Sequence, residues 1–387
     1  MSRALEERPE PHPRYVVWEL TLRCDLHCRH CGSRAGHPRD QELGIDEAMG
    51  VVEQLADAGT FEITFIGGEA YLYRGWLQVV RAAAERGIRC TMTTGGRQVG
   101  EELCQRAADA GMVGMSVSID GTERVHDHLR NLKGSHRAAM RALAHIRAAG
   151  MTPMANTQIN RDNLPILEAH ADELVAAGIR GWQVQLTGPM GRAADTPERL
   201  LQPYDMLELV PRLAAIAERI APEVTVEAAN NLGYFGPFEH VLRRAHWKGC
   251  HAGQYVLGLE ANGDVKGCPS LPSGPYVGGN LREQTLAEIW ANAPQLRFTR
   301  DRDTSELWGF CAGCYYADVC RGGCSWTAHT LLGRRGNMPY CHHRADELAR
   351  AGRRERLVSA EKAPGTPFDF GRFDLIDEPL PAVADSF

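Results

Sequence analysis

No stretch of this sequence is apolar for the roughly 20 residues that a membrane-crossing helix needs. It has no basic stripe and no low-complexity repeat, and its formal net charge is −6, which argues against a nucleic-acid footprint. The first residues, MSRALEERPEPHPR, are charged and broken by proline, so the apolar segment of a secretory signal is missing. Without export the chain is expected in the cytoplasm, where thiols stay reduced, and its twelve cysteines are therefore not read as disulfides. Metal binding is the leading explanation for that excess. The 387 residues allow one large core and a smaller module, because single cores stop growing near ~250–300 residues.

Cys24, Cys28 and Cys31 follow the strand-like segment YVVWELT with C-x3-C-x2-C spacing, so three thiols share one short loop. A four-iron cluster has four metal corners, and thiolates are its usual protein ligands. Three ligands leave one iron open to a molecule that the protein does not supply. The alternative from the same residues is a zinc site, with His27, His30 or His37 as fourth ligand. Seven more cysteines fall between Cys250 and Cys341, where a structural zinc module is again the alternative. Cys90 and Cys104 lie on apolar faces of a strand and a helix and read as small buried hydrophobes.

From residue 45 to about 187 one unit recurs: amphipathic helix, glycine stop, apolar strand. The first helix, Ile45 to Ala58, lines up Ile45, Ala48, Met49, Val52 and Leu55, and Gly59, Gly87, Gly111, Gly150 and Gly178 end successive helices. With YVVWELT this makes six strands alternating with helices, the pattern of a parallel sheet with right-handed crossovers. The expected fold is α/β: a partial (β/α)6 TIM-like barrel followed by a small cysteine-rich auxiliary-cluster domain. Its chemistry should sit at the C-terminal strand ends. Cys24, Gly67-Gly68-Glu69, Thr93 to Gly96, Ser118, Asp120, Asn156 and Gln185 to Gly188 all fall there. The boundaries are drawn as an N-terminal extension over 1–14, the barrel over 15–228, a bridge over 229–248, the cysteine-rich domain over 249–345 and an extended C-terminal arm over 346–387. That arm would pack through Phe368, Phe370 and Phe373.

The C-x3-C-x2-C run with GGE after the second strand resembles the radical S-adenosylmethionine (SAM) superfamily. The later cysteines, Cys250, Cys268, Cys311, Cys314, Cys320, Cys324 and Cys341, resemble its SPASM subfamily, and the likeness covers roughly residues 15 to 345. The resemblance implies that Cys24, Cys28 and Cys31 hold a [4Fe–4S] cluster whose open iron chelates SAM. It implies that Gly67, Gly68 and Glu69 receive the methionine ammonium, and that Ser118, Arg130 and Asn156 contact SAM. Thr94 belongs to the same cofactor-binding set, Arg130 would fork the carboxylate, and Leu186 would abut the adenine. Reductive cleavage would give a 5′-deoxyadenosyl radical that abstracts a substrate hydrogen. Two auxiliary iron–sulfur clusters are implied, the first on Cys250, Cys268 and Cys324 and the second on Cys311, Cys314, Cys320 and Cys341. Eight-cysteine members carry one more cysteine before the position of Cys250. Here the first auxiliary cluster has an open iron, a substrate ligand, or a non-cysteine ligand such as His246 or His251.

Sulfatase-maturing relatives have an aspartate where Pro269 stands, so formylglycine formation is not expected. The segment GCPSLPSGPYVGGNLREQTLAEIW resembles maturases of ribosomally made peptides. The implied partners are a precursor peptide, a flavodoxin- or ferredoxin-type electron donor and, since a leader-binding domain is not seen before the first strand, a separate leader-binding protein or else another surface that takes the leader. Tyr71, Trp182, Gln185, Met190, Arg192, Asn230, Asn231 and Tyr234 could line the substrate cavity or simply pack. Two further readings stay open: a tetrapyrrole- or haem-precursor-modifying relative, and a non-catalytic iron–sulfur or zinc protein.

Overall fold

The computed structural model describes residues 10–381 except 246, so most of the expected N-terminal extension and His246 lie outside the described residues. Seven parallel strands run β1 (Tyr15–Thr21), β2 (Glu62–Gly67), β3 (Arg89–Thr94), β4 (Met112–Ser118), β5 (Thr152–Ile159), β6 (Gly181–Leu186) and β7 (Thr225–Ala228). Helices α1 (Ile45–Asp57), α2 (Trp76–Glu85), α3 (Glu101–Asp109), α4 (Glu123–Arg130), α5 (Ser135–Ala148), α6 (Leu167–Ala176) and α7 (Met206–Ile220) connect them. The five glycine stops have φ between +75° and +98°, a region a side chain would resist, which is why helices end there. The partial barrel is therefore as expected, with β7 added beside β6.

The sheet also continues on the other side. Strand β8 (Val256–Leu259) pairs in parallel with β1, and the antiparallel β9 (Asp264–Lys266) and β10 (Val277–Asn280) follow it. The cysteine-rich part is thus welded to the barrel edge. A buried charge chain reinforces the weld: Arg39 bonds Glu19 at 2.5 Å and Glu260 at 3.2 Å, and Lys266 bonds Glu260 at 2.6 Å.

The C-terminal stretch is not an extended arm. Strands β11 (Arg353–Glu361) and β12 (Arg372–Pro379) form an antiparallel hairpin that buries Leu357 and Phe373. The linker between them crosses toward the barrel mouth. There Asp369 bonds Arg34 Nε at 2.7 Å, Phe370 bridges Met190, and the Phe370 ring stands edge-on to His329 at 5.2 Å. No helix among the described residues is long and apolar enough to cross a membrane.

Candidate active site and metal centres

The loop after β1 is held from several directions, which fixes its thiols without metal. Gly36 N–H donates to Leu22 O at 3.0 Å, and Arg29 N–H donates to Leu129 O at 2.8 Å. From the β6 exit, Arg192 Nε donates to Cys28 O at 2.7 Å, and both its terminal nitrogens reach Ala35 O at 3.2 Å. Arg192 is therefore a clamp on this loop and not a free substrate contact. Cys28 is buried, and Cys24 and Cys31 are half-buried at the mouth. Tetrahedral zinc would bring thiolates to about 3.8 Å of one another. Among the described residues, the one set of three His, Cys, Asp or Glu ligand atoms within 4.8 Å is Cys24, Asp25 and Glu69, which holds a single cysteine. Cys24, Cys28 and Cys31 together do not form such a set.

Glu69 comes to this loop because the GGE segment docks on the exit of β1. Gly68 and Glu69 N–H donate to Thr21 O and Arg23 O at 2.9 and 2.7 Å. A Cβ on Gly67 or Gly68 would lie 2.0 Å from those carbonyl oxygens, so no other residue fits. Glu69 is 1% exposed and accepts from Thr94 Oγ1 and Gly95 N, each at 2.6 Å. Burial pushes its carboxyl up to about 7 even though those two bonds favour the charge. A buried carboxylate held by neutral donors is suited to a cationic ligand such as an ammonium. Tyr71 donates to Asp25 Oδ2 at 3.3 Å, beside Glu69.

Across the mouth, strand register sets Ser118 of β4 directly beside Asn156 of β5. Asn156 Oδ1 is buried and has no partner among the described residues, as expected of a group that meets a ligand. Arg130 behaves differently from the open fork expected of it. Its NH2 pairs with Asp120 Oδ2 at 2.6 Å and its NH1 meets Cys28 Sγ at 3.6 Å, which leaves Nε unpartnered. His30 Nε2 reaches the same Asp120 oxygen at 3.0 Å. Although burial opposes it, Arg130 and His30 hold Asp120 well below the usual carboxylate range. Leu186 is buried, and its N–H and C=O are both taken by the Asn231 side chain, at 3.2 and 2.9 Å. Trp182 is core, its indole donating to Thr157 at 2.9 Å.

The structure sorts the later cysteines into two sets. Cys311, Cys314, Cys320 and Cys341 line one pocket with Tyr234, Phe310, Tyr316 and His343. Tyr234 thus belongs to this wall. Cys268 lies within charge reach of Cys250 and Cys324; burial first, then those neighbours, push it up to about 12. Cys324 is the N-cap of the helix Ser325–Leu332, and its pKa is pushed up to about 11 by burial while N–H groups at that helix start favour the thiolate. This helix overhangs the barrel: a Cβ on Gly188, just past β6, would come 2.4 Å from the Trp326 ring. Cys90 and Cys104 are fully buried in the core. His251 packs between the rings of Trp247 and Tyr255, at 6.5 and 6.0 Å. Sequence reasoning missed the Asp369 linker, the partners of Arg130 and a third buried arginine, Arg302; no local pattern marks any of them.

Comparison with known proteins accords with this geometry. Residues 18–176 match the family model of the radical SAM superfamily, and residues 250–315 match that of the SPASM iron–sulfur cluster-binding domain. The chain is 27% identical over 356 residues to the AdoMet-dependent heme synthase of Nitratidesulfovibrio vulgaris, covering 88% of this chain and 95% of that protein. It is 29% identical over 331 residues to the mycofactocin maturase MftC of Mycolicibacterium smegmatis, covering 82% and 79%. In fold it is similar to Streptococcus suis SuiB bound to precursor peptide SuiA, with a TM-score of 0.68 and 17% identity over 85% of this chain and 75% of that one.

Proposed function

Since the chain belongs to the radical SAM superfamily and carries a SPASM domain, we propose that it matures a ribosomally synthesised peptide by hydrogen abstraction, forming a crosslink or thioether, epimerising a residue or making a related edit. It is an enzyme that works with SAM on a [4Fe–4S] cluster and with auxiliary iron–sulfur clusters. When bound, that cofactor pair supplies a 5′-deoxyadenosyl radical on one-electron reduction. Cys24, Cys28 and Cys31 hold the cluster. Glu69, kept in place by Thr94 and the Gly67-Gly68 turn, pairs with the ammonium of SAM, while Ser118 and Asn156 offer polar contacts and Leu186 an apolar wall. Arg130 keeps its charge against the Cys28 thiolate through Asp120. The C-terminal cysteines divide into Cys250/Cys268/Cys324 and Cys311/Cys314/Cys320/Cys341, one cluster each. Residues 15–228 then generate the radical, 249–345 carry the auxiliary clusters, and 229–248 bridge them. A flavodoxin- or ferredoxin-type donor supplies electrons in the cytoplasm, and the precursor's leader is received by a separate protein or by another surface of this chain.

The peptide substrate rests on one observation, the likeness to the mycofactocin maturase across both halves of the chain. The test is anaerobic turnover of the reconstituted enzyme with SAM, reductant and a precursor peptide encoded nearby. Peptide-dependent 5′-deoxyadenosine with a mass change on the peptide is the expected result. The likeness to the heme synthase favours a second reading, in which a haem precursor is the substrate. Release of 5′-deoxyadenosine driven by an iron coproporphyrin, with no effect of any peptide, would replace the first reading by the second.

A further inference from the structure

Three arginines are buried among the described residues, and two have carboxylate partners: Arg130 with Asp120 and Arg344 with Glu355, each at 2.6 Å. The third, Arg302, is 7% exposed and has no ion-pair partner among the described residues. Glu306, whose charge reaches it, is tied to Arg335 at 3.3 Å. Among the described residues, Arg302 NH1 meets the Ser325 hydroxyl at 3.4 Å and its Nε has no hydrogen-bond partner. A buried, unpaired guanidinium costs several kcal/mol and persists where a counter-charge arrives.

Its surroundings identify that charge. Cys250 and Cys320 both lie within charge reach of the guanidinium. Gly249 packs against both: a Cβ there would stand 3.3 Å from Cys320 O and 3.8 Å from Arg302 NH2. Ser325, the hydroxyl contact, directly follows Cys324. Arg321, which follows Cys320, donates its NH1 to Arg302 O at 3.1 Å, so Arg302 touches segments that carry ligands of both C-terminal cysteine sets. Those sets are themselves close, because Cys320 and Cys324 are four residues apart and so within about 14 Å. An iron–sulfur cluster on three or four thiolates is net negative and becomes more so on reduction. Net charge and hydrogen bonds near a cluster set its potential.

We propose that Arg302 is the shared counter-charge of the two auxiliary clusters, a positioning residue that holds both reduction potentials up. This rests on the reading of the seven C-terminal cysteines as two cluster sites. If the wild-type chain takes up no iron in that half, that reading fails; the variants below test Arg302 alone.

The experiment is a spectroscopic redox titration of the full reconstituted chain, with iron and sulfide counted, for the wild type, Arg302→Gln and Arg302→Lys. The expected result for Arg302→Gln is a lower reduced fraction of both auxiliary clusters at fixed potential, about tenfold, or ~59 mV per one-electron centre. The SAM-responsive cluster should keep its potential, and Arg302→Lys should restore most of the shift. Full iron with neither or only one auxiliary potential moved would overturn the proposal, as would an equal shift of the SAM-responsive cluster. If Arg302→Gln loses iron from the C-terminal half and Arg302→Lys retains it, the need for charge is upheld. If both lose it, shape and not charge is what matters, and the proposal fails.

Discussion

Strands β1 to β7 and their helices share one continuous apolar core, with Val16, Ile63, Met92, Val117 and Ile146 lost entirely from water. Residues 302–341 add Cys324, Leu331, Met338 and Tyr340 to that core. Their helices are short: Ala317–Cys320 has 4 residues and Ser325–Leu332 has 8. Helices below about 12 residues, α2, α3, α4 and α6 of the barrel among them, do not hold themselves together in water and depend on what packs against them. Five cysteines and a buried arginine without an ion-pair partner among the described residues are concentrated in this stretch. Between the two lies β8–β10, which has the composition of the cysteine-rich half but the hydrogen-bond ladder of the barrel. The barrel is thus built by burial, whereas the stretch over residues 302–341 would gain further order from a metal group bound to its thiols.

The comparison breaks first at the cysteines. Cys28→Ala should reduce SAM cleavage to background while leaving the melting transition almost unmoved, because the loop is clamped by Arg192 and Arg29. Cys320→Ala should do the reverse for order: hydrogen exchange should rise across 302–341 and stay slow in the barrel strands. Equal opening of the barrel in Cys320→Ala would show that the two regions are one cooperative unit.

A smaller effect is expected at Asp120, where side chains 1% and 9% exposed form the Asp120–Arg130 pair. Asp120→Asn leaves the guanidinium uncompensated and should cost about 3–5 kcal/mol, read from denaturant midpoints of the metal-free chain. The loss should shrink once the cluster is loaded, since Cys28 then supplies the opposing charge. An equal loss with and without iron would mean that Arg130 does not feel the cluster.

Local features were legible in the sequence: glycine stops and strand ends each depend on a few neighbouring positions. Interactions across long separations were not. Tyr15 pairs with Val256, and Arg130 meets Cys28, with no spacing rule to link them. The C-terminal hairpin reads as an arm because its prolines and acids dominate, yet Arg344, bonded to Glu355 by two 2.6 Å contacts, anchors β11 in the core. Ser118 and Asn156 are marked by their position at strand ends, while the pairing of Arg130 with Asp120, which His30 also reaches, converges only in three dimensions.

The smallest effect is expected at the seam itself. Arg282, beyond β10, grips Glu47 at the start of α1 with contacts of 2.5 and 2.9 Å. That hydrogen bonding and the Gly44 N–H hold Glu47 down to about 2 from 4.5. Its side chain is 42% exposed, so solvent screens most of the gain, and Glu47→Gln should cost about 0.2–1 kcal/mol. Because the folded value is depressed, the contribution is full above pH 4.5 and fades as pH falls toward 2. The difference in melting temperature between wild type and Glu47→Gln should therefore shrink on acidification and with added salt. A difference that grows toward low pH would show that the seam depends on packing around α1 and not on this pair.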